Sequence, residues 1–320
     1  MPWFDLPLEQ LREYRTETAE PPDLDPWWQQ RLDQARAAAR EPVLTRYEAD
    51  LYAPVEVYDA EFSGAGGDRI RAWYLRPAGA HGQTPMVVKF IGYGGGRGVP
   101  TEHALLPALG YSVFVMDTRG QGGRWTIGAT SPENAQVMTR GIGRPEDYYY
   151  TRLFTDAAMA AETASMLAGA PRVAVSGHSQ GGGLALASAA LAPQVVAVCH
   201  ADAPFLCDIQ RGITLAPEAP YTEVPEFLAN HLELIPAALN TLRYVDCALL
   251  ARRITARCLL SVGLMDPICP PSTVFAAYNE IISGKEISVH PFSDHDVPTA
   301  HAERQLRHFR DFLLGADQPG

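Results

Sequence analysis

Positive charge is in short supply in this 320-residue chain. Lys and Arg number 26 against 37 Asp and Glu, for a net charge of −11. That balance argues against nucleic acid and against anionic membrane surfaces as partners. Cysteine is scarce too. Five are present (Cys199, Cys207, Cys247, Cys258, Cys269), an odd number with no C-x-x-C or Cys/His metal spacing. This pattern excludes a disulfide framework and gives no reason to expect a metal; buried free thiols in a reducing cytoplasm are the expectation. No run of about 18 apolar residues suggests a membrane-spanning helix. Met1-Pro2-Trp3-Phe4-Asp5 carries no basic region or long apolar core, so no signal peptide is expected either. There is no internal repeat, no low-complexity tract and no G-K-[ST] phosphate loop.

What is present organises itself around one stretch, Arg172 to Ala187. Val173 to Val175 reads as a buried strand, and the Ala/Leu run through Leu191 reads as a helix. Between them Gly177-His178-Ser179-Gln180-Gly181 fits G-x-S-x-G, the nucleophile elbow. A turn this sharp strains the serine backbone, and side chains at the flanking glycine positions would strike a neighbouring strand or helix. Gly182 and Gly183 let the helix lie close to the sheet. The bare motif is weak; strand before and helix after make it strong.

Taken in order, the chain opens with helices at Leu6–Arg15 and Trp27–Arg40, with Asp25 as the cap of the second. Trp27 and Trp28 are read as anchors of this extension (1–42) rather than as a sugar platform. Residues 43–76 alternate like strands, with a hairpin at 55–75 turning at Gly64–Gly67. Strands follow at 86–91, 111–117, 194–199, 257–264 and 286–292. Helices are expected near 102–109 and at 147–168, 272–282 and 299–314. Residues 118–144 form a long Gly- and Thr-rich loop, and 205–250 a helical insertion with segments at 225–231 and 235–250. Strands alternating with helices predict a single α/β domain with a mostly parallel sheet.

A serine hydroxyl needs a base to take its proton and an acid to orient that base. On such a sheet the order is Ser, then Asp or Glu, then His, each after a strand. Asp266 follows the strand at 257–264, and His295 follows the last strand. Asp202 competes for the acid role. His290, His301 and His308 sit in a strand or on the closing helix and are read as structural, and His178 as packing. The oxyanion donors should be the backbone N–H of Gln180 and one from Gly92–Gly98, where Tyr93 is placed for it. The glycine-rich 92–98 loop lacks the downstream features of a phosphate cradle.

Together with Arg119-Gly120-Gln121, Gly263-Leu264-Met265-Asp266-Pro267-Ile268-Cys269-Pro270-Pro271 and Tyr148-Tyr149-Tyr150, these motifs make the chain resemble, over nearly its whole length, the cephalosporin C deacetylase and acetyl xylan esterase family of α/β-hydrolases. That resemblance implies an α/β-hydrolase fold and a cofactor-free serine esterase that removes acetyl groups from sugars and similar small esters. It makes Ser179, Asp266 and His295 the triad, and Tyr93 and Gln180 the oxyanion hole. It gives Arg119, Gly120 and Gln121 a structural role beneath the site, and implies a hexamer with sites opening inward. Two positions depart from the family pattern: Ile91 precedes Gly92-Tyr93 where a histidine is usual, and Asp296 follows His295 where a glutamate is usual.

Overall fold

The computed structural model describes residues 4–80, 84–122 and 136–314. At its centre lies a nine-stranded sheet. The strands are β1 (Val43–Arg46), β2 (Val55–Ser63), β3 (Arg69–Pro77), β4 (Met86–Phe90), β5 (Ser112–Met116), β6 (Val173–His178), β7 (Val196–Asp202), β8 (Arg257–Gly263) and β9 (Lys285–His290). Their order is β1-β2-β3-β5-β4-β6-β7-β8-β9. All pairs from β5 to β9 are parallel, whereas β1, β2 and β3 join antiparallel at one end. The expected hairpin is the β2–β3 pair, with Val55 opposite Pro77 and Ser63 opposite Arg69.

The residue pattern explains the layering. A parallel strand covered on both faces must be apolar throughout. β5 meets this condition: Val113 and Val115 face one apolar layer, while Phe114 and Met116 face the other. Helices Leu24–Ala38, Tyr149–Ala168 and Gln180–Leu191 cover the larger layer. The helix Ala300–Phe309 closes the opposite side, where Phe309 packs with Val87, Ala174 and Val198. β4 has β5 on one side and β6 on the other, so the strand order reverses there. A crevice at the carboxyl ends of β4 and β6 is where α/β sheets bind ligands.

Several expected boundaries shift. The second helix starts at Leu24, behind Asp23 rather than Asp25. Asp25 instead pairs with Arg253, which draws the extension onto the body. Trp28 is 2% exposed and donates from Nε1 to the Tyr244 carbonyl at 2.8 Å. Trp27 lies under the Arg31 guanidinium at 3.5 Å. Both therefore anchor, and neither offers a free ring face to a sugar.

The helix expected at 235–250 is broken into Ile235–Tyr244 and Cys247–Leu250. Asp246 breaks it, because its carboxylate caps the second piece through the Ala248 N–H and also takes the N–H groups of Asp208 and Ile209. Leu232–Arg253, which by length and composition alone matches a membrane-crossing helix, is interrupted at this break and mostly buried in the fold. The segment expected at 225–231 is the helix Glu223–Leu228, and the insertion holds one more, Ile209–Leu215. Of the 118–144 excursion, 123–135 lie outside the described residues.

Candidate active site

Ser179 sits between β6 and the helix Gln180–Leu191 with φ +58° and ψ −122°, a conformation that L residues avoid. Its neighbours make that strain possible. A Cβ on Gly177 would overlap the backbone of Gly181, and one on Gly181 would overlap the Phe90 carbonyl at the end of β4. Further along, a Cβ on Gly183 would run into the Phe205 carbonyl. The turn is pinned from both directions, by the Ser179 N–H on the Asp202 carbonyl at 2.9 Å and by the Phe205 N–H on the Ser179 carbonyl at 3.0 Å.

His295 Nδ1 lies 2.8 Å from Asp266 Oδ2. Asp266 is fully buried, and its other oxygen accepts the N–H groups of Ile268 at 2.8 Å and Cys269 at 2.9 Å. That oxygen is thus committed to the backbone, which leaves Oδ2 to orient the imidazole. Asp202, the competing acid, points elsewhere: it accepts from Ser261 and Gln305, both at 2.7 Å, and lies 3.0 Å from His301 Nε2. The structure therefore brings Asp266, not Asp202, to His295. His301 is committed to Asp202, and His308 hydrogen-bonds His200 across 3.0 Å, so both closing-helix histidines serve the packing of that helix.

Sequence reasoning missed two contacts. His178, read as packing, places Nε2 2.8 Å from the His295 carbonyl and holds the histidine's own loop. Cys269 lies under the site, where its thiol meets the Ser179 hydroxyl; burial pushes that thiol far up. Among the described residues Asp266, Cys269 and His295 are the one group of potential metal ligands, with donor atoms within 4.8 Å of one another. Two of them already bond to each other, and a thiol kept protonated is a poor ligand. The set fits acid–base work better than an ion.

Gln180 is the first residue of its helix, so its N–H has no intrahelical partner. Tyr93 stands in the turn after β4, and its hydroxyl bonds Glu223 and accepts the Val137 N–H at 3.1 Å. Burial, then the Glu223 bond, raise the Tyr93 phenol, and burial raises the Glu223 carboxyl. Gln121 links the two, taking the Gly94 N–H and donating to the Gln180 side chain.

Beneath them Arg119 is fully buried and forms a bidentate pair with Asp156, plus a 2.9 Å bond to Asp68. Burial opposes its charge, but Asp156 outweighs that and raises the guanidinium. Gly120 supplies the left-handed turn, φ +62°, between Arg119, which enters the core, and Gln121, which reaches the Gln180 side chain.

A serine on a strained elbow, a histidine aligned by a buried aspartate and a nearby helix start are the parts of acyl transfer. The family model for acetyl xylan esterase matches residues 1–312. The chain belongs to the acetyl xylan esterase family. Among solved structures, the acetyl xylan esterase from Paenibacillus sp. R4 superposes with a TM-score of 0.91 at 32% identity, covering 96% of this chain and 100% of that one. Acetyl xylan esterase 1 from Thermoanaerobacterium sp. JW/SL YS485 gives 0.88 at 34% identity, covering 98% and 100%. A curated acetyl esterase of Xylanibacter ruminicola is 28% identical over 87% of this chain, which spans 64% of that relative's length. The acylaminoacyl peptidase of Pyrococcus horikoshii, at 16% identity and a TM-score of 0.61, shares the fold alone. Membership in the acetyl xylan esterase family carries the α/β-hydrolase fold and, at family level, carboxylic ester hydrolysis.

Proposed function

We propose that this member of the acetyl xylan esterase family is a serine esterase that removes acetyl groups from oxygen on short xylo-oligosaccharides and similar small esters, cephalosporin C among them. The observation that carries the reading is the Asp266–His295 pair joined to the Ser179 elbow through His178, whose Nε2 lies 2.8 Å from the His295 carbonyl. Asp266 fixes the proton on Nδ1, so Nε2 is the basic nitrogen. In the proposed cycle Ser179 Oγ attacks the acetyl carbonyl while its proton passes to His295 Nε2. The carbonyl oxygen gains negative charge and is held by the N–H groups of Gln180 and Tyr93. Collapse expels the sugar oxygen, which takes the proton from His295. Water then loses a proton to the same nitrogen and attacks the acyl-enzyme; the C–Oγ bond breaks, Ser179 Oγ takes the proton back from His295, and acetate leaves. The nucleophile, the base, its orienting acid and the oxyanion donors of this cycle all belong to the chain.

We also propose a hexamer in a reducing, cytoplasmic compartment. The compartment rests on five buried free thiols. Assembly is supported by apolar residues left in the open on the antiparallel end of the sheet, where Val43 and Leu51 are 52% and 69% exposed. An enclosed assembly would admit oligosaccharides and exclude polymer. The deciding experiment measures acetate release from p-nitrophenyl acetate and from acetylated xylo-oligosaccharides by the wild type and Ser179→Ala. The variant should lose about 10³-fold or more while keeping its fold. Retention of a tenth of the activity would remove Ser179 from the mechanism.

A further inference from the structure

The two proposed oxyanion donors belong to different elements. Tyr93 lies in the glycine-rich turn after β4, and Gln180 opens the helix after β6. β4 and β6 pair in parallel only as far as Phe90 and Gly177, and both donors lie beyond that last pair. One buried side chain touches both sides. Gln121 Oε1 accepts the N–H of Gly94, the residue after Tyr93, at 2.6 Å. Gln121 Nε2 donates to Gln180 Oε1 at 2.8 Å and to the Tyr149 hydroxyl at 2.8 Å. Both amide hydrogens and the oxygen are thus in use, in a residue only 5% exposed.

We propose that Gln121 is a positioning residue that sets the separation of the Tyr93 and Gln180 N–H groups, and so the fit of the oxyanion. The inference rests on the reading of Ser179 as nucleophile.

The surroundings make the bridge stiff. Gln180 Oε1 also accepts from the Tyr150 hydroxyl at 3.0 Å, and its Nε2 donates back to Ile91 at 3.3 Å. The turn that carries Gln121 is itself fixed, because the Tyr149 hydroxyl donates to the Arg119 carbonyl and the Arg119 side chain is locked to Asp156. At Gly122, φ +44°, a Cβ would overlap the backbone of Gly94–Gly96, so this turn and the Tyr93 turn are in direct contact. Tyr93 is therefore held at two points: its ring tip by Glu223 and Val137, and its following peptide by Gln121. Displacing an oxyanion donor by a fraction of an ångström weakens a bond that matters most in the transition state, so kcat should suffer and KM should not.

The test uses the full chain, with Ser179→Ala as a separate control. Gln121→Ala should lower kcat for p-nitrophenyl acetate by about 10- to 100-fold and leave KM within about threefold. A second readout is inhibition by methylboronic acid. The Ser179 oxygen adds to boron, its proton passes to His295, and the resulting tetrahedral boronate occupies the oxyanion site. Its Ki should rise by the same factor as kcat/KM falls. Loss of folded protein alone would reduce the amount of active enzyme and leave that Ki unchanged.

Gln121→Glu supplies the third readout. Ionised, its carboxylate has no hydrogen for Gln180; protonated, it donates again. Tyr149 and Tyr150, the hydroxyls facing this cluster, are raised by burial and stay neutral. The ratio of variant to wild-type activity should therefore climb as pH falls. An inactive Ser179→Ala combined with an unchanged boronate Ki in Gln121→Ala, or a flat Gln121→Glu ratio, overturns the positioning role alone. An active Ser179→Ala overturns the proposed function instead.

Discussion

Replacing Asp266 by asparagine tests the proton arrangement of the site most directly. One Asp266 oxygen accepts two backbone N–H groups, from Ile268 and Cys269, and the other faces His295 Nδ1 at 2.8 Å. In Asp266→Asn the amide oxygen must stay on the backbone side. Turning it round would set an NH2 against two N–H donors, at about 1–3 kcal/mol for each donor left unpaired. The NH2 therefore faces Nδ1, which must give up its proton and become an acceptor. The proton moves to Nε2, the nitrogen that has to receive the proton of Ser179. The fold is kept and the base is lost. A wrong tautomer of this kind costs about 10⁴ in kcat, or about 5 kcal/mol of transition-state stabilisation. The assay is steady-state hydrolysis of p-nitrophenyl acetate beside a thermal unfolding curve. Asp202→Asn is the control, since Asp202 serves Ser261, Gln305 and His301 instead. If Asp266→Asn keeps a tenth of the activity, or Asp202→Asn loses more, the proton assignment is wrong.

Four further outcomes are expected. Gly181→Ala puts a methyl against the Phe90 carbonyl, which is backbone and cannot step aside, so unfolding curves should show a loss of about 1–3 kcal/mol, with activity falling further. Burial pushes His200 down to about 3 in the folded chain, so below pH 6.5 the unfolded chain gains a proton that the folded one refuses. Stability is then lost as pH falls, by about 2 kcal/mol between pH 7 and 5, and denaturant titrations should show this slope shrink in His200→Gln. Activity should drop steeply from acetate to butyrate and vanish by octanoate; equal kcat/KM across p-nitrophenyl esters would point to a lipase or thioesterase. Light scattering should give a hexamer, and a mass near 34.9 kDa would sink the assembly.

The strained elbow at Ser179 and the alternation of strands and helices were legible in the sequence because they rest on local constraints. Gly177, Ser179 and Gly181 answer to the clearance of one turn, and runs such as Val113–Met116 answer to burial on both faces of one strand. The placement of Ser179, Asp266 and His295 after β6, β8 and β9 was readable because each follows a recognisable apolar strand. What sequence could not decide was which polar groups meet across the sheet. Asp202 and Asp266 both follow strands, and only the packing of the last helix, which brings His301 to Asp202, leaves Asp266 to His295. Asp25 was the cap expected for the second helix, but the helix starts at Leu24 and Asp25 pairs with Arg253 across 228 residues of chain. The break at Asp246 has the same origin, since the N–H groups of Asp208 and Ile209 that help to hold its carboxylate come from another part of the insertion. Gln121 is the extreme case. Its position in Arg119-Gly120-Gln121 marked it in the sequence, but its partners, Gly94 and Gln180, lie on separate elements that only the closed sheet brings within reach of one amide. Local sterics act between near neighbours and can be read from sequence, whereas long-range hydrogen bonds depend on where the whole chain goes.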